Sequence, residues 1–180
     1  MSGGRYNSAS GDYSMVAGGG GLLSSCGNKA FSHYTAILGG QENLAGDPER
    51  RYRTVGESST ISGGYANNTS GFNASVTGGT GNTASDDYAT VSGGRDNVAS
   101  GESSSVSGGR YNLASGQHAS VSGGAFNEGR GNSASVGGGE YNLASGGSAS
   151  VSGGDHNTAS GSSASVSGGS TNTHRARAHR

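Results

Sequence analysis

The 180-residue chain has no tryptophan, one proline and one cysteine, and only 29% of its residues are hydrophobic. A single cysteine excludes an intrachain disulfide framework. So small an apolar fraction excludes a globular domain built around a thick side-chain core. No apolar run reaches the length of a membrane-spanning helix, so we expect no membrane segment in this chain.

Charge is scarce and balanced, with a formal net charge of -1. The body lacks the basic excess of a nucleic-acid-binding protein, so no nucleic-acid partner is expected. Glycine is abundant, with 38 residues, and disordered segments share such a composition. Two features argue against disorder here. The net charge is too small to hold the chain open, and the apolar residues keep a strict register.

That register is a fifteen-residue repeat, seen in full in the segment SVSGGRYNLASGQHASVSGG, residues 105–124. Its first column, usually valine, advances by fifteen residues at every step but two, where extra residues are inserted. The column is occupied by Met1, Val16, Ile37, Ile61, Val76, Val91, Val106, Val121, Val136, Val151 and Val166. The chain is therefore ten repeats and a partial eleventh, which indicates one small unit stacked many times.

Other columns are nearly as uniform along the chain. Columns 3 and 4 are Gly-Gly in every copy, and columns 9 and 11 are mostly alanine and glycine. Columns 5, 12 and 13 vary, so we expect them to face solvent. Column 7 is asparagine in every copy: Asn7, Asn28, Asn43, Asn67, Asn82, Asn97, Asn112, Asn127, Asn142, Asn157 and Asn172.

The repeat predicts two short strands and two turns. Alternation in Ala119–Ser122 places alanine and valine on one face of a strand and serine on the other. A second strand fits columns 7 to 10, and the Gly-Gly pair and the column 11 glycine are expected to supply positive φ angles at the turns. The predicted fold is an all-β parallel β-solenoid, or β-roll, of about eleven fifteen-residue coils.

Stacked coils place identical residues above one another. The asparagine column is then expected to form a ladder in which each side-chain amide bonds the next, beside an apolar valine spine. At about 4.8 Å between paired strands, eleven coils give a rod roughly 50 Å long. The interior is thin, because about 25 cal/mol per Å² of buried apolar surface barely offsets the ordering of fifteen residues. Association of chains is therefore expected, through column 8 (Leu113, Leu143) and column 6 (Tyr6, Tyr111, Phe126, Tyr141).

The expected domain is residues 1–173, with insertions at about 20–27 and 47–55, followed by a basic tail at 174–180. Insertions in solenoids bulge as loops and often carry binding function. The second contains Arg50, Arg51, Tyr52 and Arg53, the only dense positive cluster with an aromatic in the body. It is a candidate for a sulfated glycan, a carboxylate or a partner chain, with a solvated loop as the alternative.

Catalytic chemistry has no evident constellation in this sequence. The histidines are scattered, and the adjacent Asp86 and Asp87 fit a solvated turn better than an acid–base couple. The glycine pairs are followed by no phosphate-loop lysine, and no aspartate column of a calcium-binding repeat exists. We therefore predict that the protein is not an enzyme and needs neither cofactor nor metal.

The columns resemble the head-domain repeats of trimeric autotransporter adhesins. Ser120-Val121-Ser122-Gly123-Gly124 matches the opening of that family's repeat, and Asn112, Ala114 and Gly116 match its second half. The family's coil has about fourteen residues, and it carries an apolar residue where this chain has the first glycine. The resemblance implies a left-handed parallel β-roll, a side-by-side homotrimer, and an extracellular or cell-surface position with a host or matrix ligand.

Alternatives with the same architecture remain open: a segment of a trimeric phage or viral tail fibre, located on the virion, or a self-stacking filament subunit. A monomeric ice-binding solenoid is a further one, although the regular hydroxyls are mostly serine. Met1 is followed at once by Ser-Gly-Gly, without a signal peptide's basic and apolar opening. Since Met1 falls in column 1, we expect that the natural protein continues beyond it or that rods associate end to end.

Overall fold

The computed structural model describes residues 3–48 and 56–175, and this part of the chain is an all-β parallel β-solenoid. Each coil contributes one two-residue strand to each of two parallel sheets, one of eleven strands and one of ten. The predicted fold class and the fifteen-residue coil are therefore confirmed. The short strands lie inside the segments that the alternation had predicted.

The eleven-stranded sheet takes column 8 and column 9 of each coil. Its strands are β1 (Ser8–Ala9), β3 (Lys29–Ala30), β5 (Leu44–Ala45), β7 (Asn68–Thr69), β9 (Thr83–Ala84), β11 (Val98–Ala99), β13 (Leu113–Ala114), β15 (Glu128–Gly129), β17 (Leu143–Ala144), β19 (Thr158–Ala159) and β21 (Thr173–His174).

The ten-stranded sheet takes column 15 and the next column 1. Its strands are β2 (Met15–Val16), β4 (Ala36–Ile37), β6 (Thr60–Ile61), β8 (Ser75–Val76), β10 (Thr90–Val91), β12 (Ser105–Val106), β14 (Ser120–Val121), β16 (Ser135–Val136), β18 (Ser150–Val151) and β20 (Ser165–Val166).

Identical columns pair throughout both sheets. Val106 is the register partner of Val91 and Val121. The same pairing crosses both insertions, because Val16 pairs with Ile37 and Ile37 with Ile61. The strand register is thus continuous from the coil before each insertion to the coil after it.

The interior is narrow and closed within one chain. Valine or isoleucine at column 1, the column 9 residue (usually alanine) and the column 14 residue (alanine in most coils) point inward; Val106, Ala114 and Ala119 are each at most 1% exposed. Column 15 and column 2, mostly serine, lie on the outside of the ten-stranded sheet. Small side chains therefore suffice to fill a coil whose opposite walls lie close together.

The positive φ angles predicted for the turn glycines are present at column 4 but not generally at column 11. In every described coil the column 4 glycine has φ between 81° and 92°, as expected. Apart from Gly56, which follows the second insertion and has φ 71°, the column 11 glycines do not: Gly116 has no positive φ, but a Cβ there would overlap the backbone carbonyl of Gly131 in the next coil. Column 11 is therefore glycine in most coils because the backbones of successive coils approach closely there; Ser32 and Asp86 are the exceptions.

Among non-glycine residues, the positive φ angles fall at columns 6 and 13. Nineteen non-glycine residues there have φ between 53° and 60°, among them Tyr111 and His118. His118 is the third residue of the turn closed by the hydrogen bond from Ala119 N–H to Gly116 O (3.0 Å), the position at which a type II turn requires positive φ. This conformation costs roughly 1–2 kcal/mol for an L-residue, so the stacking of coils must hold it in place.

Candidate functional site

The asparagine column forms a continuous buried ladder. Asn112 is 1% exposed, and its Nδ2 donates to Gly108 O in its own coil (2.9 Å) and to Gly124 O in the next (3.0 Å). Its Oδ1 accepts the backbone N–H of Asn127 (3.0 Å). The same arrangement recurs at the internal positions named from the sequence: Asn67, Asn82, Asn97, Asn112, Asn127, Asn142 and Asn157.

The bonding of this ladder differs from the predicted chain of amide-to-amide bonds. Each asparagine of the ladder bonds backbone groups, and among the ladder residues that the structure describes only Asn28 and Asn43 also join two side-chain amides (3.1 Å). The physical reason is that positive φ at column 4 and column 6 turns the adjoining carbonyl and N–H groups toward the side chain. The ladder therefore satisfies carbonyl and N–H groups of the turn between the two strands.

Column 6 carries an exposed stack of rings. Tyr111, Phe126, Tyr141 and His156 succeed one another with centroid distances of 5.0, 4.8 and 4.7 Å. Three of these had been named as candidate contacts between chains, whereas His156 had not, although the fifteen-residue period places it in the same column. Because the ring faces cover one another, the stack presents mainly ring edges to solvent.

The first insertion forms a concave surface. A short 3-10 helix, Ser24–Cys26, ends the loop, and an open cleft of about 720 Å³ lies beside it. Arg5, Leu22 and Gln41 are among its lining residues. An apolar wall with a guanidinium and an amide at its edge suits an apolar group that carries a carboxylate.

Leu22 and Leu23 do not cover the roll, which had been one expectation. They are 80% and 66% exposed, whereas Cys26 is a free thiol that is only 8% exposed. Packing of the two leucines on a partner remains a prediction. The loop ends at Gly27 in column 6 of its coil, where a Cβ would overlap the backbone carbonyl of Tyr6.

Near the cleft, Tyr65 and Glu42 form a pair that the sequence did not reveal. A hydrogen bond and the negative charge of Glu42 raise the pKa of the Tyr65 phenol above its ordinary value of 10.0. The two residues lie in neighbouring columns of successive coils, and the second insertion separates them in sequence. If the inserted residues are left out when the repeats are aligned, Glu42 and Tyr65 fall in adjacent columns of successive coils.

The basic loop Arg50, Arg51, Tyr52 and Arg53 lies outside the described residues, so its proposed binding role stays a prediction. The basic tail is described only as far as Arg175, and His174 belongs to the last strand. Asp86 and Asp87 form a turn, in which the Asp87 carboxylate accepts the N–H of Phe72 (3.0 Å).

In residues 3–48 and 56–175 no group of three or more histidine, cysteine, aspartate or glutamate side chains could hold a metal ion. The same residues include no helix with the length and apolar character needed to span a membrane.

Comparison with known proteins leaves the chain without an assigned family. No family model matches it, and no curated protein matches its sequence. The resemblance to adhesin head repeats therefore rests on the residue columns themselves. The fold is consistent with a structural repeat module.

Proposed function

We propose that the chain is a structural and adhesive surface module, a stiff rod that holds binding surfaces away from a cell in the manner that the resemblance to adhesin heads implies. The observation that carries this proposal is the unbroken hydrogen-bonded register along the rod, which continues across both insertions. A module that only spaces and displays needs this continuity, and it needs no catalytic centre.

Stiffness follows from the number of bonds between successive coils. Strand N–H groups donate to the next coil, as from Leu113 to Asn127 O (2.8 Å) and from Ser120 to Ala134 O (2.9 Å). The asparagine ladder adds bonds at the turn between these strands. Bending the rod would lengthen bonds in both sheets and in the ladder together, so a rod of roughly 50 Å should behave as one rigid piece.

Recognition by such a rod must take place on its outside, because valine, alanine and asparagine fill the interior. Two places favour a ligand. The cleft of the first insertion offers apolar walls with Arg5 and Gln41. The second insertion carries the Arg50–Arg53 cluster, suited to sulfate or carboxylate groups. A host-surface or matrix protein or glycan fits either chemistry.

The rod is further proposed to work as a side-by-side homotrimer in an extracellular or cell-surface position. Val98, Leu113 and Leu143 at column 8 are half-buried on the outer face of the eleven-stranded sheet. A neighbouring rod would cover them. Light scattering of the full chain should then give about three times the chain mass of 17.5 kDa. A stable folded monomer would contradict this arrangement.

Adhesion can be tested with beads coated with the full chain and presented to immobilised matrix proteins and glycans, including a sulfated glycan. Wild-type beads should bind at least one of these surfaces. Two loop variants divide the two candidate places: Leu22→Ser with Leu23→Ser in the first insertion, and Arg50→Ser, Arg51→Ser and Arg53→Ser in the second. Loss of binding in only one variant identifies the loop that recognises the ligand.

The matched control is Ser107→Ala with Ser122→Ala, which alters exposed residues of column 2 and should leave binding unchanged. Circular dichroism would check that every variant keeps its fold. If wild-type beads bind no surface better than beads coated with an inert protein of equal net charge, the adhesive role is wrong.

A further inference from the structure

Column 5 has an ordered pattern of charge. In five successive coils it reads Arg95, Arg110, Ala125, Glu140 and Asp155, and each residue forms a parallel bridge with the next. The four charged residues are exposed, whereas the central alanine is 5% exposed. Two positive charges, a small neutral centre and two negative charges therefore follow one another at equal spacing.

Column 6, beside it, is also ordered about its central residue. Here the five residues are Asp96, Tyr111, Phe126, Tyr141 and His156. A half-turn about an axis through Phe126, perpendicular to the rod, exchanges Tyr111 with Tyr141 and Asp96 with His156. In column 5 the same half-turn exchanges arginines with carboxylates. Column 5 is thus opposite in charge, and the ring positions of column 6 are alike in shape, about one point.

The single chain does not account for this order. Neighbouring coils lie about 4.8 Å apart, and like charges directly opposite each other on paired strands are destabilising. Alternating signs would suit an isolated rod better. Within residues 3–48 and 56–175, Arg95, Arg110 and Glu140 form no ion pair, and Asp155 pairs only with the adjacent His156 (2.8 Å).

We propose that this surface, the charge ridge, binds the charge ridge of a second copy of the chain in antiparallel orientation. The ridge comprises Arg95, Asp96, Arg110, Tyr111, Ala125, Phe126, Glu140, Tyr141, Asp155 and His156. The contact is isologous, with its two-fold axis at the Ala125–Phe126 coil. Equal coil spacing in the two copies brings all the charge pairs into register at once.

Each copy then offers the other its missing partners. Arg95 faces Asp155 of the second copy and Arg110 faces Glu140, and each pair occurs twice by symmetry. A parallel neighbour in register would instead bring Arg110 against Arg110, and like charges across an interface select against a partner. The order of charge therefore specifies the antiparallel orientation.

The size of the ridge sets the strength of the contact. From Arg95 to Asp155 there are four coil steps, or about 19 Å. A strip of that length and about 10 Å width is well below the roughly 800 Å² per partner of a standard interface. The pairing is therefore weak for two isolated rods and sensitive to salt, and rods held together on a surface strengthen it by multiple engagement.

Antiparallel pairing has a consequence that rests on the proposed function. Rods that project from two facing surfaces meet in antiparallel orientation, so the second copy would be an adhesive ligand on the opposite surface. The pairing itself requires no adhesive role, and the experiment below measures it in solution.

Analytical ultracentrifugation of the full chain at low salt should show its average mass rising with concentration above that of the basal species, and the rise should shrink as salt is added. Arg110→Glu or Glu140→Arg alone turns two attractive pairs into repulsive ones and should weaken the association by about 10- to 100-fold. Arg110→Glu combined with Glu140→Arg should restore it, because both inner pairs are then attractive again with their signs exchanged, and the outer pairs Arg95–Asp155 are unchanged.

Arg130→Glu is the matched control, since it makes the same charge change on an exposed residue outside the ridge. It should leave the association unchanged, and melting curves would confirm that each variant is folded. An average mass that stays at the value of the basal species at every concentration overturns the proposal. So does a combined variant that fails to recover association, because only antiparallel pairing rescues it. Either failure leaves the bead-binding result, and with it the proposed function, unaffected.

Discussion

Asn112→Ala is the sharpest test of the asparagine ladder. The substitution removes three hydrogen bonds, two donated by Nδ2 and one accepted by Oδ1. The three groups left behind differ in their alternatives. Gly124 O keeps the N–H of Arg110 (3.0 Å), and Gly108 is partly exposed to water. The N–H of Asn127 lies in a fully buried residue and has no replacement acceptor.

The expected cost follows from that difference. A buried donor left without a partner costs about 1–3 kcal/mol, and the two weakened carbonyl bonds add roughly 1 kcal/mol. The free energy of unfolding should therefore fall by about 2–4 kcal/mol per chain. For a chain of this size the melting temperature falls by roughly 2–4 °C per kcal/mol. In hydrogen exchange, the amide of Asn127 should lose most of its protection.

Gln117→Ala is the matched control, because Gln117 is also a side-chain amide that bridges coils. It donates to Glu102 (2.8 Å) on the exposed surface, so water replaces the bond at almost no cost. Asn172→Ala should also cost less than Asn112→Ala, since Asn172 is exposed. Equal melting temperatures for Asn112→Ala and Gln117→Ala, or an Asn127 amide that stays protected, would refute the ladder's structural role.

Three further predictions concern other columns. Gly116→Ala should destabilise the protein by several kcal/mol in denaturant unfolding, because the added Cβ would overlap backbone. Gly108→Ala in the same coil is the control: its Cβ meets nothing within 4 Å, so it should be neutral or stabilising by about 0.4–1 kcal/mol. Equal effects of the two substitutions would contradict the close approach at Gly116. Phe126→Ala breaks two ring stacks and should cost about 1–3 kcal/mol in the same assay, and an unchanged unfolding midpoint would show that the stack contributes nothing. Glu42→Gln should lower the pKa of Tyr65, measured as tyrosinate absorbance against Tyr65→Phe. Because the folded-state pKa is raised, this contact stabilises the fold fully below pH 10 and is lost as pH rises through that pKa; a stability that gains from alkali would contradict the assignment.

Stacking of identical columns made the fold predictable. Once Val106 and Val121 are known to be one period apart, parallel pairing, the buried valine spine and the buried asparagine column all follow. The thin interior led to the expectation of several chains. Yet Val106 and Ala114 are fully buried within one chain. Small side chains, together with backbones that approach closely at glycine, can therefore fill a narrow coil.

Backbone detail within the coil was not predictable in the same way. Positive φ was expected at Gly116, and it falls instead on His118. The column pattern shows that a turn is present, but it does not show which residue of the turn takes the positive φ. The hydrogen bonds of Asn112 likewise depend on local peptide orientation. Loops are harder still: nothing in the period determines where Leu22 and Leu23 point.

Val16 pairs with Ile37, and Ile37 pairs with Ile61. The strand register is therefore kept from coil to coil, even where extra residues are inserted between two coils. A gene that encodes such a chain can gain or lose whole repeats by unequal recombination and still produce a folded protein. A change by any other number of residues must be expelled from the coil as a loop. The reach of the rod is therefore a heritable quantity that can vary independently of the surfaces it carries. Only a gain or loss inside residues 95–156 would also move the two halves of the charge order relative to each other.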